Sequence, residues 1–201
     1  MSADELPRPR WFTRHGEGHA QWYIDRFRTM AAEGADLDGE ARLLDALLPR
    51  GARVLDAGCG PGRVAGALHE RGHDVLGVDV DPDLIAAART DHPGPRWQVA
   101  DLAALDLDEP PFDLAVLAGN VLLFVAEGTE PLVLQRVAAH VRPDGLVVVG
   151  FATDRGYTVP DFDRDRAAAP MRLEHRFATW DLRPWRPDAD WQVSVLRVPP
   201  A

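Results

Sequence analysis

The segment 54–65, VLDAGCGPGRVA, constrains this chain more than any other, because it sets three glycines between a short apolar strand and an amphipathic helix. Gly58 permits a tight turn, Gly60 lets a ligand approach the backbone with no Cβ in the way, and Gly62 lets the helix begin close to the strand. The spacing is G-x-G-x-G. The dinucleotide fingerprint requires G-x-G-x-x-G, and Arg63 stands where its third glycine belongs, which weakens a pyrophosphate reading. Asp56 lies two residues before the first glycine, where a carboxylate opposes a pyrophosphate and attracts an ammonium group. The cradle therefore suits a zwitterionic, net-cationic cofactor.

Around it the pattern is that of an α/β chain. Residues 1–12 show no periodicity and read as a flexible leader. Tyr23, Ile24, Phe27 and Met30 predict a helix over 21–33, and Ala41, Leu44, Leu47 and Leu48 a second over 38–48. After Gly51, apolar runs alternate with amphipathic segments, as a parallel sheet with crossover helices requires. Strands are predicted at 53–57, 74–80, 96–100, 112–118 and 146–151, with helices at 62–71 and 82–90. Leu134, Val137, Ala138 and Val141 make a further helical stripe, ending at the turn Arg142-Pro-Asp-Gly145. A weak helix over 159–168 precedes two segments, 172–180 and 191–198, that read as an antiparallel pair. Their interleaved tryptophans and arginines suggest a twisted hairpin with aromatic cross-strand pairs, the neighbouring acids cancelling most of the charge.

Two further acids stand at strand ends. Asp79 closes VLGVD, 19 residues after Gly60, the distance from which an acid reaches both hydroxyls of a ribose. Asp101 closes WQVAD and is suited to accept from an exocyclic adenine amine. Ligands on open α/β sheets bind outside the carboxyl ends of the strands, so the three acids are expected to converge there.

Taken in order, these segments resemble the class I S-adenosylmethionine (SAM) dependent methyltransferases, over roughly residues 43–151 and more weakly to the C-terminus. The resemblance implies a doubly wound, Rossmann-like seven-stranded sheet of order 3-2-1-4-5-7-6 with strand 7 antiparallel. VLDAGCGPG resembles the first family motif, which implies Asp56, Ala57, Gly58 and Gly60 around the methionine part of SAM. VLGVDVDPDLIAAAR resembles the second, with Asp79 on the ribose and Val80 beside the adenine. VADL resembles the third, with Asp101 on the adenine amine and Leu102 on the ring. FDLAVLAGNVLLF takes the fourth-motif position, placing Gly119 and Asn120 near the sulfonium. Ala118-Gly119-Asn120-Val121 stands where base and glutamine methyltransferases carry Asn/Asp-Pro-Pro-aromatic, so those substrates lose support. Only Glu127 is available after strand four for a magnesium ion, and no metal is expected.

Composition narrows the partners. With 32 acids against 22 bases the net charge is -10, which disfavours nucleic acid, and no apolar run is long enough to span a bilayer. A single cysteine forms no internal disulfide, so the chain reads as cytoplasmic. Every basic residue is arginine, which removes lysine Schiff-base chemistry. Two regions are expected: a leader and helical lid over 1–50, and a SAM-binding domain over 51–201. The lid segment 15–27 is expected to close over SAM and help form the acceptor pocket. The expected activity is methyl transfer to a small molecule by in-line displacement. The alternative is a SAM-binding regulatory module without catalysis, and a second copy of the chain is a candidate partner. If the acceptor must lose a proton, His15, His19, Tyr23 and Asn120 are the groups to consider. Cys59 is expected to pack under the cradle. His69, His73, His92 and His140 are expected on solvated surfaces.

Overall fold

A computed structural model describes residues 6–14, 16 and 18–200. In chain order the elements are α1 (Arg10–Thr13), α2 (His19–Ala32), α3 (Gly39–Leu47), β1 (Arg53–Ala57), α4 (Arg63–Glu70), β2 (Asp74–Asp79), α5 (Pro82–Asp91), β3 (Arg96–Val99), β4 (Phe112–Leu117), α6 (Val121–Phe124), α7 (Glu130–Ala139), β5 (Val141–Ala152), α8 (Val159–Asp165), β6 (Arg172–Phe177) and β7 (Trp191–Arg197). They build one seven-stranded sheet of order β3-β2-β1-β4-β5-β7-β6. β1 to β5 are parallel, and β7 runs antiparallel to both β5 and β6. This is the expected order.

The central strands are apolar on both faces because both faces are covered. On one side Leu55, Ala115, Leu117 and Val147 pack against α6, α7 and α8 through Leu122, Leu134, Val137 and Phe162. On the other, Val54, Leu114, Val116 and Val148 meet Leu43 and Leu44 of α3 and Val64 and Leu68 of α4. The helix after β1 covers one face and those after β4 the other, which opens a crevice where β1 and β4 lie side by side. α5 bridges outward to α2, where Ile24 packs on Leu84 and Ala87.

Several local expectations are corrected. Val141 is not the last turn of a helix: α7 stops at Ala139, and Val141 opens β5 opposite Phe112. The Arg142–Gly145 segment is a bulge within that strand, with Asp144 at φ 62° and a register shift before Leu114 pairs with Leu146. The terminal strands carry no aromatic cross-strand pair. Instead Trp180 lies over Gly150, where a Cβ would come within 2.4 Å of its ring, and Trp191 stands opposite Ala152. His73 is buried, its Nε2 3.0 Å from Asp45 Oδ1, and His140 accepts from Leu107 N through Nε2 at 2.9 Å. His92 is half-buried against Gly66. Each fills space under a helix end that a solvated side chain would leave open. The described part of the leader is also not free, as the site shows.

Candidate cofactor and acceptor site

The cradle begins where β1 ends. Gly58 and Cys59 donate their amides to Val78 O at 2.7 and 3.0 Å, which folds the turn back over β2. Gly62 holds φ 91°, and a Cβ there would lie 2.6 Å from the Trp97 ring of β3, so glycine is required both by conformation and by space. At Gly60 the only neighbour of such a Cβ is Tyr23 Cε1, at 3.5 Å. The middle of the cradle thus presents bare backbone to the cleft. Cys59 is buried, and desolvation raises its thiol well above the usual range, which disfavours the thiolate.

Asp79 grips the cradle. Its Oδ2 accepts from Gly60 N at 2.8 Å and its Oδ1 from Asp81 N at 3.0 Å. Each carboxylate oxygen keeps a second lone pair, and Asp79 lines the cleft. Burial pushes its pKa up to about 6, against the pull of the backbone donors. Asp56, only 1% exposed, accepts from Ala65 N at 3.1 Å and is pushed to about 7 by burial, opposed by the Arg63 charge. Asp101 Oδ1 accepts from Ala103 N at 2.8 Å, opening the short 3₁₀ turn Leu102–Ala104, and Asp101 and Leu102 both line the cleft.

The cleft has two chambers. The first is lined by Asp79, Val80, Asp101 and Leu102 on the sheet side and by Pro9, Trp11, Val121 and Phe124 opposite. The second is bounded by Asp56, Arg63, Phe27 and Ala118. Tyr23, Gly58, Gly60 and Gly119 belong to both, so the chambers adjoin. Ala57 is fully buried beneath the turn and lines neither chamber. Asn120 has a left-handed backbone, φ 72°, and its Oδ1 accepts from Ala152 N at 2.7 Å. Its side chain ties β4 to β5 and lines neither chamber. His19 packs between Trp11 and Trp22, with ring centroids at 4.8 and 5.3 Å, again outside both lining sets. His15 lies outside the described residues. Tyr23 does face the cleft, and burial raises its phenol above the usual value, so it is a proton donor at neutral pH.

Hydrophobic periodicity does not predict α1, a single helical turn. Arg10 Nε donates to Val125 O at 2.9 Å, its Nη2 to Leu122 O at 3.0 Å, and Nη2 also pairs with the buried Glu130. The next residue, Trp11, donates through Nε1 to Asp81 Oδ2 at 2.6 Å and meets Phe124 and Tyr23 edge-on. Neighbouring residues therefore fasten to opposite lips of the first chamber. The one signal was a tryptophan and a phenylalanine in an otherwise polar leader.

A cleft lined by Asp79 and Asp101, beside a bare glycine cradle and a chamber with charge of both signs, thus opens at the carboxyl ends of the strands of a doubly wound sheet. Comparison with known proteins agrees. A methyltransferase domain family matches residues 54–145. A TehB-like SAM-dependent methyltransferase from Corynebacterium glutamicum superposes with a TM-score of 0.86 at 44% identity, covering 90% of this chain and 98% of that one. An uncharacterized methyltransferase of Mycobacterium bovis is 38% identical over 115 residues, 55% of this chain and 57% of its own length. A tRNA 5-carboxymethoxyuridine methyltransferase of Escherichia coli is 31% identical over 176 residues, 79% of this chain and 65% of the relative. The chain belongs to the class I SAM-dependent methyltransferases. Its match spans little more than half the length of the mycobacterial relative.

Proposed function

We propose that the protein transfers the methyl group of SAM to a small-molecule acceptor. The observation that carries this is the covered first chamber: α1 and α2 lie over the cleft with Pro9, Trp11 and Tyr23, and no arginine or histidine is among its described lining residues. A macromolecular acceptor would need an open approach, and a phosphate backbone would need free positive charge. The net charge is -10, and Arg10, Arg28, Arg53, Arg63 and Arg71 are each held by an acid. These features favour a small acceptor here, although the Escherichia coli relative is named for a tRNA substrate.

Bound SAM supplies an already activated methyl group on a sulfonium, so the protein's task is alignment and exclusion of water. In this reading Asp79 takes the ribose hydroxyls, Val80 and Leu102 flank the adenine, Asp101 accepts from its amine, and Gly58, Gly60 and Gly119 let the backbone approach the reacting end. Residues 1–50 form the cover and 51–201 the cofactor domain. Beyond the acids assigned to the cofactor, the described lining offers no side-chain base, since Tyr23 is held protonated. This favours an acceptor atom that attacks without losing a proton to the protein, or one that arrives already deprotonated. Among the described residues no helix is long and apolar enough to cross a membrane, in keeping with a cytoplasmic role.

The test is incubation with methyl-labelled SAM and a cell extract fractionated by size. Label should pass to a low-mass fraction. Transfer to RNA or protein alone would contradict a small acceptor.

A further inference from the structure

We infer that the acceptor is an uncharged lone-pair base, a tertiary or heteroaromatic nitrogen or a thioether sulfur, and that its methylated product is a permanent cation held against the rings of Trp11, Tyr23 and Phe124. The inference rests on the methyl-transfer reading above and narrows its acceptor to one chemical class.

All three rings line the first chamber. Trp11 stands between the other two, its centroid 5.6 Å from each, at interplanar angles of 78° to Tyr23 and 87° to Phe124. Rings set near right angles make the corner of a box, not a flat stack, and a box of ring faces is the arrangement that surrounds a cation. This corner adjoins the middle of the cradle. A Cβ at Gly60 would lie 3.5 Å from Tyr23 Cε1, and one at Gly58 would come within 2.7 Å of Val121, three residues before Phe124. Trp11 Nε1 also donates to Asp81 Oδ2 at 2.6 Å, a bond that polarises the indole and makes its face more negative.

Charge decides which acceptors suit such a box. Among the described residues lining the first chamber, Asp79 and Asp101 are met by no cation, and Arg63 of the second chamber is taken up by Glu40. In the transfer, the acceptor's lone pair forms a bond to the methyl carbon while the bond from that carbon to sulfur breaks, its electron pair staying on sulfur. An anionic acceptor would cancel the sulfonium charge as the new bond forms, so acidic and aromatic surroundings would lose their attraction on the way to the transition state. A neutral acceptor keeps the positive charge and moves it toward the rings, whose stabilisation grows as the reaction advances. No proton leaves the acceptor, which agrees with a described lining that offers no side-chain base beyond the acids assigned to the cofactor.

The experiment reads the charge of the product. Methyl-labelled SAM is incubated with the protein and a whole cell extract, and the low-mass products are passed over a strong cation exchanger at about pH 12, against a control without protein. At that pH ordinary amines are largely uncharged, and esters, ethers and thioethers carry no positive charge, so retained label marks a permanent cation. Retention of the protein-dependent label is the expected result. Low-mass label that flows through would overturn the inference and leave the small-acceptor reading standing, whereas label only in RNA or protein, or nowhere, would overturn both. Calorimetric titration of the S-adenosylhomocysteine complex with N-methylpyridinium and with toluene, a cation and a neutral ring of the same shape, tests the box without turnover. The cation should bind about tenfold more tightly, and Phe124→Leu should weaken it by about fivefold while changing toluene by less than about twofold. Toluene bound as tightly as the cation, no binding of the cation, or equal losses for both in the variant would overturn the box. The wild-type comparison carries the test if Phe124→Leu does not fold.

Discussion

The two sides of the first chamber are built in opposite ways. The wall of β1, β2 and β3 is fixed by backbone: the Gly58 and Cys59 amides on Val78 O, and the Gly60 and Asp81 amides on Asp79. The cover of α1 and α2 is fixed by side chains. Arg10 reaches Val125, Leu122 and Glu130 on one lip, Trp11 reaches Asp81 on the other, and rings fill the space between. A wall of this kind keeps its shape without a ligand, whereas α1, pinned by the side chains of two neighbouring residues, can detach while α2 stays packed on α5 through Ile24. Affinity for the nucleoside should therefore reside in the wall, and retention and enclosure of the acceptor in the cover.

Removing the cover outright should have the largest effect. A chain starting at Asp38 keeps the sheet and α3, so its circular dichroism should remain that of an α/β fold. Turnover should fall by more than about a hundredfold as water enters the reacting end. Undiminished turnover with full cofactor affinity would locate the cover elsewhere. Within the wall, Asp79→Ala should weaken S-adenosylhomocysteine binding by about 2–3 kcal/mol in calorimetry, since it strips the ribose of its acceptor and releases the Gly60 amide. An unchanged dissociation constant in a folded variant would reduce Asp79 to a brace for the turn.

Arg10→Met separates wall from cover more finely. It leaves Glu130 buried without its cation unless α1 lifts away, so the bound state should open more readily. Stopped-flow tryptophan fluorescence should show S-adenosylhomocysteine leaving about tenfold faster, with the association rate little altered. A change confined to association would mean that α1 guides entry and does not retain the ligand.

The smallest expected effect is a pH dependence that belongs to the wall. Asp56 and Asp79, raised by burial to about 7 and about 6, must be ionised to accept from the cofactor. SAM affinity should thus rise by about fivefold from pH 6.5 to 8 and then level off. The sign for the free protein is the reverse. Both carboxyls hold their protons more tightly folded than unfolded, so their contribution to stability is full below about pH 4 and is lost as pH rises through 6 to 7. A melting temperature for the free protein that climbs over that interval would contradict buried, proton-holding acids.

The same contrast governs what could be read from the residues. The wall was legible because its determinants are local and chemically specific: three glycines at fixed spacing, and acids at the ends of apolar runs. The order of β7 and β6 came with the family resemblance, since an antiparallel edge leaves little periodic signal. The cover was half legible. Tyr23, Ile24 and Phe27 announced α2, but α1 is one turn of helix, too short for periodicity, and its bonds span 70 residues or more. His73 and His140 were misplaced for a related reason: each is fixed by a partner about 30 residues away in sequence, Asp45 and Leu107. The fourth-motif resemblance places Asn120 near the sulfonium. Its left-handed backbone turns the carboxamide to the Ala152 amide instead.

The wall suits an adenosyl amino acid and not a dinucleotide. Titration of the purified protein with S-adenosylhomocysteine and, separately, with NAD in a calorimeter tests it most directly. Binding of S-adenosylhomocysteine with one-to-one stoichiometry, at least about a hundredfold tighter than NAD, is the expected result. NAD bound as tightly as S-adenosylhomocysteine, or more tightly, would contradict it.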